Sequence, residues 1–492
     1  MSPLQFLFLG TGTSTGLPLT PCLTLSHSYP EAFTSHVPRP TPPPPGTSAP
    51  PGHYDPAGPW PRNITCACCR NAVDPDVPEG WKNKRGNTSA IVRQKDQNGQ
   101  WRNILVDCGK TFLEQARRFF PRWGVQTIDA VLLTHGHADA YFGLDDLREW
   151  CVRQRRAIPI YLDRPTYDIV AKSFPYLVDT SKASGGGDVP TLKWNIIGEM
   201  DSFDVCGMPV KSFPVHHGIY FSDPPTKSSA SSLFPSAQTP KRPEPHPLIC
   251  LAFMFDDKVL YMGDVSEVPE RTWEALGARK RRGSTSGREA DAPLAKSKGG
   301  VLSRLIPGKH PLPTPETTPP PTVSPRKEKD ALPTTAPSEV NGNDESLQTG
   351  DSGSNRAHLP VFIVDALWPL RSHASHFSLS QALSTALELK ASMTYTIGST
   401  HPTTHFMWEE VCRSFNGLDG QRSDHPDAEV SRGLVKRVKG DGQFNGSDKL
   451  AERWAQYGGR IEPGWDGLVL QVEDDGDWKE ITEPLGFDRG GM

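Results

Sequence analysis

Thr134-His135-Gly136-His137-Ala138-Asp139 follows directly on the apolar run Ile128-Asp129-Ala130-Val131-Leu132-Leu133. A short apolar run that ends in polar turn residues reads as a buried strand, and this one stops on two imidazoles and a carboxylate. Side chains alternate along an extended chain, so histidines two residues apart point the same way. The aspartate belongs to the turn that follows and faces the same hollow. Two neutral imidazoles and one carboxylate suit a zinc-like cation with positions left open for water. The pattern points to metal-assisted hydrolysis.

Other apolar runs end in the same way. Trp101 to Val106 stops at Asp107, Val210 to Val215 leads into His216-His217-Gly218, and Tyr261-Met262-Gly263 leads to Asp264. Met393 to Ile397 is followed by His401 and His405. Leu4 to Leu9 is a strand that enters the small-residue turn Gly10 to Gly16, and Arg85 to Val92 and Ile158 to Leu162 are further ordered runs. Leu248 to Phe255 and Val259 to Met262 read as a hairpin with Asp256-Asp257 in its turn. Phe112 to Phe120, Leu144 to Val152 and Leu379 to Leu389 have helical spacing. Val361 to Val364 and Gly464 to Leu470 complete the pattern, with no internal repeat. Strands alternating with helices predict an α/β layered fold.

Composition limits how much of the chain can take part. With 49 prolines and 44 glycines in 492 residues, the chain exceeds the roughly 12% of these residues in an average protein. The excess gathers in segments that cannot bury enough apolar area to offset their ordering entropy. The expected division is a first strand and Gly-rich turn over 1–25, a Pro-rich loop insert over 26–63 and a first hydrolase part over 64–276. A disordered insert follows over 277–358, then a second hydrolase part over 359–415, a loose insert over 416–449 and a closing segment over 450–492. About 300 ordered residues are enough for one substantial core. The formal net charge of -4 and pI of about 6.4 give no bulk attraction to nucleic acid. Nine cysteines, odd in number and scattered, fit a reducing compartment. No run approaches the length of a membrane span or a secretory leader. The expected location is cytoplasmic, with nuclear entry as a second option, because Arg279-Lys280-Arg281-Arg282 reads either as an import patch or as a solvated charge run.

The stretches Phe8 to Gly16, Asn87-Thr88-Ser89, Thr134 to Gly143, His217-Gly218, Tyr261 to Val265, Ser375-His376-Phe377 and Asp466-Gly467 resemble the metallo-β-lactamase superfamily. The likeness is to its phosphodiesterase-like branch, which includes a cyclic phosphate phosphodiesterase and, more distantly, the tRNA 3′-processing endonuclease. Within that branch the chain is similar to a fungal or plant-type subgroup with a His-Ala-Asp-Ala variant. The resemblance implies a four-layer αβ/βα sandwich with a metal site at strand ends. It implies that His135, His137 and His217 hold one metal, that Asp264 bridges, and that Asp139 and His401 hold a second. Ala140 stands where the family motif has its last histidine, so the second site is expected to be weaker. Asp145 and Asp146 are candidate substitutes, or else carboxylates favoured by a helix N-terminus. His216 competes with His217, which is preferred because the family places glycine after its ligand.

A metal-bound water loses its proton near neutral pH, and the resulting hydroxide attacks phosphorus or a carbonyl carbon. The expected cofactor is zinc or manganese, one or two ions. The expected substrate is a small cyclic phosphate or nucleotide-like ester. Asp139 is expected to orient the water. His376 is expected to contact phosphate or donate to the leaving group, or else to cap the following helix. The alternatives are an RNA-processing nuclease, thioester or lactam hydrolysis, and a weakened ligand-binding scaffold. The Gly10 to Gly16 turn reads as tight backbone beside the site with weak anion-binding capacity. The resemblance also implies a structural zinc from Cys22, Cys66 and Cys69, with Cys68 as an option and His405 completing the tetrahedron; free thiols in a loop are the alternative. Cys108, Cys151, Cys206, Cys250 and Cys412 read as buried small hydrophobes. Nothing in the sequence fixes an oligomeric state.

Overall fold

The computed structural model describes residues 2–24, 46–48, 50–184, 189–220, 246–278, 358–418 and 422–481. These lie in one compact unit formed by Met1–Arg281 and Ala357–Met492. All of the expected disordered insert but residues 277, 278 and 358, and most of the Pro-rich loop, fall outside the described residues, as does the Arg279 to Arg282 run.

The strands, in chain order, are β1 (Leu4–Gly10), β2 (Ser89–Lys95), β3 (Trp101–Val106), β4 (Ala130–Leu132), β5 (Ile158–Leu162), β6 (Leu192–Ile196), β7 (Ser202–Val205) and β8 (Met208–Tyr220). They continue with β9 (His246–Phe255), β10 (Val259–Met262), β11 (Leu359–Asp365), β12 (Ala391–Ile397), β13 (Arg460–Pro463), β14 (Val469–Val472) and β15 (Trp478–Ile481). One sheet has the order β15-β14-β1-β2-β3-β4-β5-β6 and the other β13-β12-β11-β10-β9-β8-β7. β1 and β2 are antiparallel, while β3 through β6 run parallel to one another. In the second sheet β10 through β13 are parallel and β8 through β10 antiparallel.

Period-2 alternation decides where the strands' side chains go. Phe6, Phe8, Val92, Ile104 and Leu132 of the first sheet meet Phe253, Tyr261, Val361, Ile363 and Tyr395 of the second, forming a dry layer between the sheets. The alternate residues Leu7, Leu9, Ile91, Leu105 and Val131 face helix Phe112–Trp123, packing on Phe112, Ala116, Phe119 and Phe120. On the far side of the second sheet, Phe362 and Val364 pack under helices Leu379–Leu389 and His405–Phe415. Helix, sheet, sheet, helix is the four-layer αβ/βα sandwich of the metallo-β-lactamase fold. Strands buried on both faces explain the near-continuous apolar runs of the sequence.

Two local features carry the expectations through. The β9–β10 turn holds Asp256 at φ 50 and Asp257 at φ 52, a backbone state that aspartate tolerates better than most residues. Helix Leu379–Leu389 is capped by Ser378, whose side chain and that of Gln381 form a capping box; His376 does not cap it.

The segment 416–449, expected to be a loose insert, is built differently. Helix Ala428–Gly440 buries Val430, Leu434 and Val438, and the short helix Gly442–Asn445 buries Phe444, all inside the outer core cluster. Three apolar residues at i, i+4 and i+8 are enough for one stripe, although glycine and charge dominate the composition around them. Cys206 also departs from expectation: it is exposed, at φ 56 in the β7–β8 turn.

Candidate metal centre

Strand β4 delivers His135 and His137 to the edge of the inter-sheet layer, and β8 brings His217 from the facing sheet. The three imidazole centroids form a near-equilateral triangle, with sides of 4.7 Å, 5.1 Å and 5.1 Å. Local hydrogen bonds fix which nitrogens face the centre. The Thr134 hydroxyl donates to Asp107 Oδ2 at 2.8 Å, so its oxygen accepts from His135 Nδ1, also at 2.8 Å. Asp107 Oδ1 accepts the Thr134 backbone N–H as well. His217 Nδ1 donates to the Ser375 carbonyl at 2.7 Å. Both rings therefore carry a proton on Nδ1 and turn Nε2 inward, the usual arrangement around metal-ligating histidines. His135 Nε2 is buried and has no hydrogen-bond partner among the described residues, which is costly unless a cation occupies the centre. Burial holds the His135 pKa down at about 3 and also lowers that of His137, keeping both neutral. Neutral imidazole is the form a cation needs.

Asp264, at the end of β10, places Oδ2 3.5 Å from His135 Nε2 and 3.7 Å from His217 Nε2. Ligands about 2.1 Å from a tetrahedral ion stand about 3.4 Å apart, a spacing that Asp264 keeps to His135 and His217. Burial works against the Asp264 charge, but the surrounding imidazoles, His217 foremost, hold its pKa down at about 2. Asp139 does not join the histidine triangle. Burial, and then the Asp264 charge, pushes its carboxyl up to about 6.

A second cluster adjoins the first. Asp264, Asp365 and His376 bring ligand-type atoms within 4.8 Å of one another. His376 Nδ1 bonds Asp365 Oδ2 at 2.7 Å, and the His376 ring lies 4.9 Å from that of His217. Burial alone would lower His376, but the Asp365 carboxylate outweighs it and holds the imidazole up at about 9. Asp365 itself is fully buried and pushed up to about 6 by that burial. The sequence reading missed it, although it ends β11 just as Asp264 ends β10. Asp145 and Asp146 stay outside both clusters: Asp145 pairs with Arg148 at 3.0 Å. His216 turns outward to Glu267 at 3.1 Å, which leaves His217 as the inward residue of the pair. Gly218, at φ +72, is required there, because a Cβ would lie 2.8 Å from Ser375 Oγ.

His401 corrects an expectation. It does not reach the Asp264 cluster and instead joins Cys22, Cys66 and Cys69, with its Nδ1 3.7 Å from Cys22 Sγ and 3.5 Å from Cys66 Sγ. For a tetrahedral zinc with S and N ligands the S···N edge is about 3.6 Å, so this group matches that ion. The reason lies just past the end of β12, where the first residue is Gly398. A Cβ there would sit 2.2 Å from Asp365 Oδ1, so no side chain enters the site from this strand, and the chain runs on before it reaches His401. His405, expected with the cysteines, lies instead at the start of helix His405–Phe415. It bonds Glu409 Oε1 at 3.1 Å. Cys68 turns away to Asn83.

The Gly10 to Gly16 turn is packed backbone. Asp466, buried, accepts from Thr11 N, Thr11 Oγ1, Gly86 N and Gln115 Nε2, and Gly12 N donates to Gly86 O. Those amides are committed within the protein and leave little with which to bind an anion.

Residues 102–280 match the family described as the Beta-lactamase superfamily domain. Over 153 residues the chain is 30% identical to a protein named octanoyltransferase from Porphyromonas gingivalis (strain ATCC BAA-308 / W83), a match covering 31% of this chain and 27% of that protein. The chain thus spans about a quarter of the length of the curated relative it matches. Among solved structures, a diphosphatase from the PhnP family is 18% identical, with 96% of this chain and 97% of that one covered and a TM-score of 0.45. Zn(2+)-bound PqqB from Methylobacterium extorquens is 12% identical, with 94% and 99% covered and a TM-score of 0.44.

Proposed function

We propose that this chain is a metal-dependent phosphodiesterase acting on small cyclic phosphates or nucleotide-like esters. The observation that carries the reading is the pairing of two unlike devices on one wall. One is a triangle of imidazoles with Asp264 beside His135 and His217; the other is a charged imidazole, His376, locked to a buried carboxylate. The residue set suits zinc or manganese. A cation there supplies Lewis acidity toward a phosphoryl oxygen and a water made acidic near neutral pH.

This chain's own residues divide the remaining work. His135, His137, His217 and Asp264 are the ligand set. Asp139 orients the attacking water. His376, held by Asp365 through Nδ1, presents Nε2–H to the departing oxygen as a general acid. One cation is proposed rather than two: Ala140 offers no ligand, a glycine follows β12, and His401 is occupied elsewhere. Cys22, Cys66, Cys69 and His401 form a separate structural zinc site.

The test is turnover of bis(p-nitrophenyl) phosphate by the metal-loaded full chain. Asp264→Ala and His137→Ala should abolish it. His376→Ala should lower kcat by about 10²–10⁴-fold on an alkyl ester, where the leaving oxygen needs a proton, and by much less on the nitrophenyl ester. A wild-type chain that binds the cation without turning over any diester would leave a ligand-binding scaffold in place of an enzyme.

A further inference from the structure

His376 enters the site from a loop whose two ends are tied to each other. The Leu367 N–H donates to the Phe377 carbonyl at 2.9 Å, and the Leu379 N–H donates to the Trp368 carbonyl at 3.1 Å. Trp368 and Ser378 pair as an isolated parallel bridge. Residues 367–368 are thus a strap across the base of the loop, and His376 is the last residue before the strapped segment. Inside the loop, rings continue from the strap to the site: Trp368 lies 5.7 Å from His373, and His373 lies 5.3 Å from His376. The Ser375 N–H donates to His373 Nδ1 at 3.2 Å, which holds the backbone just before His376.

The strap is bound to the turn that follows β12. The Thr400 N–H donates to the Leu367 carbonyl at 3.4 Å. The Trp368 side chain is buried, and its Nε1–H donates to the His401 carbonyl, also at 3.4 Å. A buried indole needs such a partner, because an N–H without one is costly there. Arg85 anchors the same turn, donating to the carbonyls of Ser399 at 3.2 Å and Thr403 at 3.4 Å. His401 therefore serves two places. Its ring points Nδ1 at the Cys22 and Cys66 thiols, while its carbonyl receives the indole of the strap.

We propose that Trp368 is a positioning residue for His376, and that it joins the Cys22/Cys66/Cys69/His401 group to the reaction centre. Ligation holds the His401 ring, the His401 carbonyl holds the strap through the indole, and the strap sets how far His376 Nε2 reaches toward the departing oxygen. A general acid works only within hydrogen-bond reach of the atom it protonates, and a displacement of about 1 Å can cost about 100-fold. The cysteine group then acts on catalysis as well as on stability. This rests on the phosphodiesterase reading of the neighbouring site.

The test uses the metal-loaded full chain. Trp368→Phe keeps an aromatic ring against His373 and removes only the N–H donor. It should lower kcat on a ribonucleoside 2′,3′-cyclic phosphate, whose leaving oxygen is an alkoxide, by about 10–100-fold. KM should change little, and turnover of bis(p-nitrophenyl) phosphate, whose leaving group needs no proton, should fall much less. Cys22→Ser combined with Cys66→Ser should reproduce the loss, and adding Trp368→Phe to that pair should cost little more, as expected of groups that act as one unit. A readout independent of turnover is the indole N–H resonance of Trp368, assigned by its absence from Trp368→Phe. It should move when the two cysteines are replaced and stay in place in His137→Ala. An indole signal indifferent to the cysteine pair would overturn the link. Equal falls on both esters would do the same, leaving the strap as a support for the whole loop, including the Ser375 carbonyl that holds His217. Where the cysteine pair does not fold, the contrast between esters in Trp368→Phe decides alone. Failure of the wild type to cleave either ester would instead defeat the phosphodiesterase reading, and the indole signal would still decide on the link.

Discussion

Thr134 determines which nitrogen of His135 is free. Its hydroxyl gives its only proton to Asp107 and so must accept from His135 Nδ1, leaving Nε2 for the centre. Thr134→Val keeps the shape and breaks the relay. Cation affinity should then fall about 10–100-fold, measured by competition with a chelator of known affinity; an unchanged affinity would mean that the relay does not orient the ring. His376 makes a pH-dependent prediction. Its folded pKa of about 9 lies above its ordinary 6.5. A histidine raised in this way contributes stability that is complete below about 6.5 and is lost as pH climbs through about 9. The Tm difference between wild type and His376→Gln should be largest near pH 6 and close toward pH 10; a constant difference would contradict the Asp365 pairing. His135, His137, His217 and Asp264 were legible in the sequence because each follows an apolar run almost immediately. Asp365 was equally legible by that rule and was passed over. The fates of His401 and His405 were not legible, since both lie beyond a strand end in a turn whose path depends on Gly398 making room for Asp365.

At the scale of elements, apolar runs and helical spacing located most strands and the helices at Phe112–Trp123 and Leu379–Leu389. They failed over 416–449. There the burying stripe is only Val430, Leu434 and Val438, set among glycine, lysine and arginine, and composition hid it. These residues belong to the same outer cluster as Trp408 and Trp454. Leu434→Ala should therefore cost about 2–5 kcal/mol in denaturant unfolding. A loss near zero would restore the view of this segment as a dispensable insert. Helices Ala428–Gly440 and His405–Phe415 are also tied to the cysteine group: Asp427 accepts from Asn71 Nδ2 at 2.7 Å, and Asn83 accepts from His405 N at 2.8 Å. The Cys22/Cys66/Cys69/His401 group thus sits where several segments far apart in sequence meet, which is the task of a structural metal.

Across the whole molecule, two sheets face each other over a dry layer, and the strand ends at one edge collect side chains from residues 135 to 376. Neither sheet holds the site alone: His135 and His137 come from the first, His217, Asp264 and Asp365 from the second. The closed Cys3His group and the more open His3Asp centre should therefore load independently. The most direct measurement is elemental analysis of the purified full chain and two variants. Wild type should carry one transition metal in each group. His137→Ala combined with His217→Ala should lose one and keep the other, while Cys22→Ser combined with Cys66→Ser should lose the complementary one. A wild-type chain with no bound metal, or a histidine variant with its full metal content, would contradict the account.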